Sequence, residues 1–185
     1  MARSSARAGK TEMLTIRLDP KTRFLLEYVA RRNGQTITTV VERAILTAAS
    51  SNPIPAPGEY DPDITWQDIW DVSEGVRKLR MARIPELFPT YEEEHRLAFA
   101  REHWPFFYTG RDSEKLITPY VDVLWPRIDE FLQMHEDGRA KDYFAAGTAM
   151  QQALREANLK APEWPVAEKP KPPKSTPLDD SEIPF

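Results

Sequence analysis

Apolar and polar residues alternate strictly between Leu14 and Leu18, and from Pro20 onwards the apolar period becomes helical. In Leu14-Thr15-Ile16-Arg17-Leu18 the alternation predicts a half-buried strand, with Leu14, Ile16 and Leu18 on one face and Met13, Thr15 and Arg17 on the other. Asp19-Pro20 stops it and opens a helix, with Asp19 as N-cap and Pro20 at the first helical position, where no N–H is needed. Phe24, Leu25, Tyr28, Val29 and Arg32 recur at helical spacing until Asn33-Gly34, which supplies the left-handed residue that ends a helix. Thr36 then caps a second helix carrying Ile37, Val40, Val41, Ala44, Ile45 and Ala48.

A lone five-residue strand leaves N–H and C=O groups unpaired along both edges. The pattern therefore predicts pairing with the same strand of a second copy about a two-fold axis, in a homodimer or a higher oligomer. The LTIRL strand, the Asp-Pro start, the Asn-Gly turn and the Thr-capped second helix together closely resemble the ribbon-helix-helix family of DNA-binding dimers, over about residues 10 to 50. That resemblance implies that the outward Met13, Thr15 and Arg17 enter the major groove of double-stranded DNA and meet base edges. Arg17 has two donors for guanine O6 and N7, Thr15 can donate, accept or pack on a thymine methyl, and Met13 offers apolar contact. It also implies a phosphate at the start of the second helix, at Thr36, Ile37 and Thr38, where free N–H groups and the helix dipole favour an anion.

Beyond the Pro-rich stretch Ser51–Asp63, read as a linker, the helical period returns with no strand alternation. Thr65 with Asp68 opens a helix through Trp66, Ile69, Trp70, Val76 and Leu79, and Thr90 with Glu93 opens another that Pro105 ends. Thr118-Pro119 starts a third, which Pro126 kinks or breaks, through Phe131 and Leu132 to Gly138. A last helix from about Ala140 to Asn158 buries Tyr143, Phe144, Ala146, Met150 and Leu154. The predicted fold class is mainly α: a dimeric ribbon-helix-helix of one strand and two helices, a separate all-helical domain, and a disordered C-terminal tail. The predicted divisions are a disordered basic arm (1–10), the DNA-binding and dimerisation domain (11–50), the linker (51–63), the helical domain (64–160) and a Pro-rich tether with an acidic tip (161–185).

Charge follows the same division. Residues 1–50 hold nine Lys or Arg against four Asp or Glu, a balance of +5, residues 51–160 come to −7, and residues 161–185 to −2. Arg3, Arg7 and Lys10 in the Ser/Ala-rich leader are placed to add non-specific phosphate contacts. The chain has no cysteine, which excludes disulfides and thiolate metal sites. The leader lacks the apolar core of a signal peptide and no stretch approaches the ~20 apolar residues of a membrane span, so a cytoplasmic, nucleoid-associated protein with no membrane partner is expected.

Candidate chemistry in the helical domain is sparse. His95, His103 and His135 form no HExxH pair and are read as solvated or capping, and Glu92-Glu93-Glu94 complements a helix dipole. The five tryptophans, with Phe106, Phe107 and Tyr108, suit core packing or a protein interface better than base stacking in an acidic domain. No phosphate loop, nucleophile elbow or paired acid motif is present, so no catalytic residue, metal or cofactor is assigned, and an enzyme is the least supported class.

The last seven residues, Asp179-Asp180-Ser181-Glu182-Ile183-Pro184-Phe185, resemble the acidic tip of bacterial single-stranded DNA-binding proteins, although Ser181 interrupts the acidic run. That resemblance implies a DNA-processing protein as partner: Phe185 in an apolar pocket with its carboxylate on a basic side chain, Asp179, Asp180 and Glu182 on a positive rim, and Ile183-Pro184 leading into the ring. The expected function is a dimeric, sequence-specific DNA-binding protein, either a transcriptional repressor or a nucleoprotein accessory factor, whose tail recruits a partner. The alternative is an interaction protein that imitates the single-stranded DNA-binding protein tail and sequesters or redirects replication and repair enzymes.

Overall fold

Asp19 starts the first helix through its carboxylate, which accepts hydrogen bonds from the Lys21 and Thr22 backbone N–H groups at 2.9 and 3.1 Å. The Thr22 hydroxyl also donates to it, and this bond above all, followed by the backbone ones, holds the Asp19 carboxyl below its ordinary range. In the computed structural model, which describes residues 13–56, 58, 60–139 and 141–166, helix α1 spans Pro20–Asn33. Gly34 ends it at φ 62°, ψ 34°, and Gln35 N–H closes the turn on the Ala30 carbonyl at 2.9 Å. Helix α2 spans Ile37–Ser50, with Thr36 Oγ1 accepting from Thr39 N–H at 3.1 Å.

The strand expected over Leu14–Leu18 is not formed. Among the described residues there is no strand, Met13–Asp19 precedes α1 without regular structure, and the fold is helical rather than a ribbon-helix-helix with a β element. A strand exists only as a ladder of hydrogen bonds to a neighbour, and no described segment of the chain lies against Leu14–Leu18 to supply one. Leu14, Ile16 and Leu18, expected to be buried, are 76%, 58% and 44% exposed. The only bridges among the described residues are two isolated antiparallel ones, Ile54 with Ile64 and Tyr108 with Leu116. The first closes the Pro-rich stretch into a loop through reciprocal bonds of 2.8 Å.

The helix expected from Thr65 through Leu79 is two. Helix α3, Trp66–Ile69, starts where the Asp68 carboxylate accepts from the Thr65 N–H and hydroxyl, at 2.8 and 2.6 Å, and stops at Trp70, whose ψ of 137° is extended. Helix α4, Glu74–Met81, restarts behind Ser73, whose Oγ accepts from Val76 N–H. The carbonyls freed by the break are taken by arginines from α4: Arg77 donates to Asp71 and Val72, and Arg80 to Ile69 and Trp70. A break with its carbonyls satisfied by charged donors is inexpensive, which is why the apolar period does not carry the helix through it.

Helix α5, Tyr91–Glu102, opens on a capping box in which Thr90 N–H donates to Glu93 and Glu93 N–H donates to Thr90 Oγ1. A 3₁₀ turn, Trp104–Phe106, follows. Pro126 divides the next helical run into α6, Thr118–Leu124, a 3₁₀ turn at Trp125–Arg127, and α7, Ile128–Gly138. Helix α8, Ala145–Glu156, begins several residues later than expected, because the Asp142 side chain accepts from Phe144 N–H and holds a turn there. Tyr143 and Phe144 therefore precede the helix and stay 40% and 45% exposed.

One core joins α4 to α8: Val76 and Leu79 from α4, Phe99 from α5, Phe106 to Tyr108, Val121 and Leu124 from α6, Phe131 from α7, and Met150 and Leu154 from α8. After α8 the chain doubles back, and Leu159, Ala161 and Trp164 pack onto that core. Tyr120 donates to the Lys160 carbonyl, and Gln151 donates to the Pro162 carbonyl at 2.7 Å. By contrast α1 and α2 pack on each other with Ala30 alone fully buried, so residues 13–50 have almost no core of their own.

Candidate functional site

The residues expected to meet DNA bases lie on the extended segment before α1. Met13 is 96% exposed, and Thr15 and Arg17 are exposed beside it. Arg17 pairs with no carboxylate among the described residues. The expected phosphate-binding residues sit at the start of α2: Thr36 as its cap, then Ile37 and Thr38, all three exposed. No hydrogen bond joins this group to the Met13–Arg17 segment. Arg3, Arg7 and Lys10 lie outside the described residues, as do Asp179, Asp180, Glu182, Ile183, Pro184 and Phe185.

Both faces of the head are open. Beyond Leu14, Ile16 and Leu18, the side chains of Phe24, Leu25, Tyr28, Ile37, Ile45 and Leu46 are all between 46% and 64% exposed. These exposed apolar side chains all fall within some forty residues of the chain. Cationic side chains are interspersed with them, namely Arg17, Lys21, Arg23, Arg31, Arg32 and Arg43. Arg31 and Arg32 occupy the last turn of α1, where the helix dipole favours positive charge.

A second polar feature, which the spacing of the histidines did not announce, is buried in the helical domain. His103 is fully buried and His135 nearly so, not solvated as expected, although His103 does cap the end of α5, its backbone N–H donating to the Phe99 carbonyl. Their rings meet edge to face at 4.9 Å, and His103 also lies between Phe99 at 4.3 Å and Trp164 at 5.1 Å. His103 Nδ1 is 3.1 Å from the Phe99 carbonyl, which can only accept, so the proton is assigned to Nδ1 and Nε2 is left with no partner. Burial pushes the His103 pKa down to about 4, and the bond to Phe99 opposes the shift without cancelling it. Glu102 borders the cluster, its carboxylate accepting from the Tyr143 hydroxyl and lying 3.4 Å from His135 Nε2. The hydrogen bond to Glu102, more than burial, raises the Tyr143 pKa.

A signal for this burial exists in the sequence. His103 follows Phe99 by four residues and His135 follows Phe131 by four, so both continue the apolar stripe of their helices. The third histidine, His95, is partly exposed and pairs with Glu136 at 3.1 Å. Among the described residues no group of three or more His, Cys, Asp or Glu is placed to hold a metal ion, and no helix is long and apolar enough to cross a membrane. Comparison with known protein families, curated proteins and solved structures finds no match to this chain.

Proposed function

We propose that the chain binds double-stranded DNA as a dimer formed through residues 13–50, acting as a sequence-specific repressor or a nucleoprotein accessory factor on the nucleoid, with its acidic tail engaging a protein partner. The observation that carries this reading is the head itself: a basic unit, on an otherwise acidic chain, whose apolar side chains have almost nothing to cover them. A second copy is the economical cover, because a two-fold contact satisfies Leu14, Ile16, Leu18 and Val29 of both copies at once. Each fully covered Leu or Ile contributes about 1.5 to 3 kcal/mol. In this reading Met13, Thr15 and Arg17 contact bases, while Thr36, Ile37 and Thr38, with Arg3, Arg7 and Lys10, contact phosphates. The sequence resemblance of residues 10 to 50 to a family of DNA-binding dimers supports the same assignment. Sedimentation of the full chain, together with gel-shift selection from a random duplex library, tests it. A dimer at micromolar concentration that enriches one sequence is expected; a monomer, or equal retention of all duplexes, refutes it.

A further inference from the structure

We propose that the acidic end of the chain, Asp179 to Phe185, seats in a shallow groove on α1 and thereby shields the basic head. The groove is lined by Phe24, Glu27, Tyr28, Arg31 and Arg32. Phe24 and Tyr28 stack with ring centroids 6.3 Å apart, yet stay 64% and 55% exposed. By helical spacing they project from the side of α1 opposite Leu26 and Ala30, its covered side, so α2 does not reach them. Glu27 is engaged by Arg23 at 3.2 Å, whereas Arg31 and Arg32 pair with no carboxylate among the described residues.

An apolar slot with two unneutralised guanidiniums at one end has a definite complement: an aromatic ring with carboxylates a few residues away. The end of this chain supplies it, with Asp179, Asp180 and Glu182 preceding Ile183 and Phe185. Arginine takes a carboxylate through two parallel N–H donors, and an aromatic ring laid against Phe24 and Tyr28 adds an offset or edge contact. The charges also complement each other, +5 over residues 1–50 against −2 over residues 161–185. Twelve residues lie between Val166 and Asp179, and the thirteen steps reach up to about 43 Å, which exceeds the ~30 Å breadth of a small domain. Docking within one assembly is effectively a millimolar encounter, so a weak contact suffices to populate it.

The consequence for DNA rests on the reading given under Proposed function, whereas the docking itself does not. Three carboxylates held on the head cancel part of the field that attracts phosphates, and they must leave before the head binds a duplex at full strength.

The test uses the full chain with Phe185 exchanged for photoreactive benzoylphenylalanine. Irradiation should link it to the α1 peptide holding Phe24 and Tyr28, and Arg31→Ala with Arg32→Ala, in a chain that keeps its helical circular dichroism, should abolish that link. A link elsewhere, no link, or one indifferent to the two arginines overturns the proposal. In parallel, Asp179→Asn, Asp180→Asn and Glu182→Gln together should tighten binding of a random duplex by about threefold or more at low salt, the difference shrinking as salt screens it. Unchanged affinity also overturns the proposal. If the link forms but no form of the chain binds duplex DNA, the docking stands and the DNA-binding reading falls.

Discussion

Gly147 in α8 lies directly beneath the Trp164 indole, and replacing it with alanine tests whether the chain after α8 is integral to the helical domain. A Cβ at residue 147 would stand 2.1 Å from Trp164 Nε1 and 2.3 Å from Cε2, far inside contact distance, so the indole must leave. It would lose its stack on His103 at 5.1 Å, its edge contacts with Phe106 and Phe144 at 5.5 and 6.1 Å, and the hydrogen bond from Nε1 to the Phe144 carbonyl. Removing a buried aromatic side chain costs about 3 to 5 kcal/mol. Trp164 is only half-buried, which scales the loss to about 2 to 3 kcal/mol. Alanine within a helix returns up to about 1 kcal/mol, leaving Gly147→Ala a net loss of about 1 to 2 kcal/mol. Trp164→Ala alone should lose about 2 to 3 kcal/mol. In that background the clash is gone, so Gly147→Ala should reverse sign and stabilise by up to about 1 kcal/mol. Urea denaturation of the four chains of this double-mutant cycle, followed by circular dichroism, measures the coupling directly. Additive losses, or a neutral Gly147→Ala in the parent chain, would refute the argument that Trp164 is seated on α8.

Burial of His103 makes stability fall with acid. Its folded pKa of about 4 lies below the ordinary 6.5, so the unfolded chain takes up the proton more readily. The contribution is complete above pH 6.5, declines between there and about 4, and its full loss below that amounts to about 3 kcal/mol; His103→Gln should flatten a pH series of urea midpoints over this window. In the head, Ile16→Ala should raise the dimer dissociation constant, each copy losing about 1 to 2 kcal/mol of covered apolar surface, while Thr15→Ala leaves association unchanged by sedimentation equilibrium. Arg17→Ala should cost about 1 to 3 kcal/mol on a selected duplex and relax preference at particular base pairs. Removing Arg3, Arg7 and Lys10 should instead weaken all duplexes alike and flatten the salt dependence in gel shifts; the opposite pattern would exchange the two assignments.

Where helices begin and end was largely written in local chemistry. Asp19-Pro20, Thr36, and Thr90 with Glu93 act on donors no more than three residues away, so their effect survives in any tertiary context. Pro126 likewise breaks the α6–α7 run because it lacks an N–H and clashes with the preceding turn, whatever packs around it. Capping also put Thr36 to Thr38 at a helix start, which follows from Thr36 and its near neighbours alone. What depended on distant neighbours was not. Alternation at Leu14 to Leu18 describes the faces of a strand, but a strand is made by a partner, and the rest of the described chain offers none. The break between α3 and α4 is tolerated because Arg77 and Arg80, up to eleven residues further on, satisfy its carbonyls. His103 and His135 are polar by type, and only the convergence of α5, α7 and Trp164 removes water from them. Burial is a property of what surrounds a side chain, and the surroundings of these two rings come from parts of the chain as much as sixty residues apart.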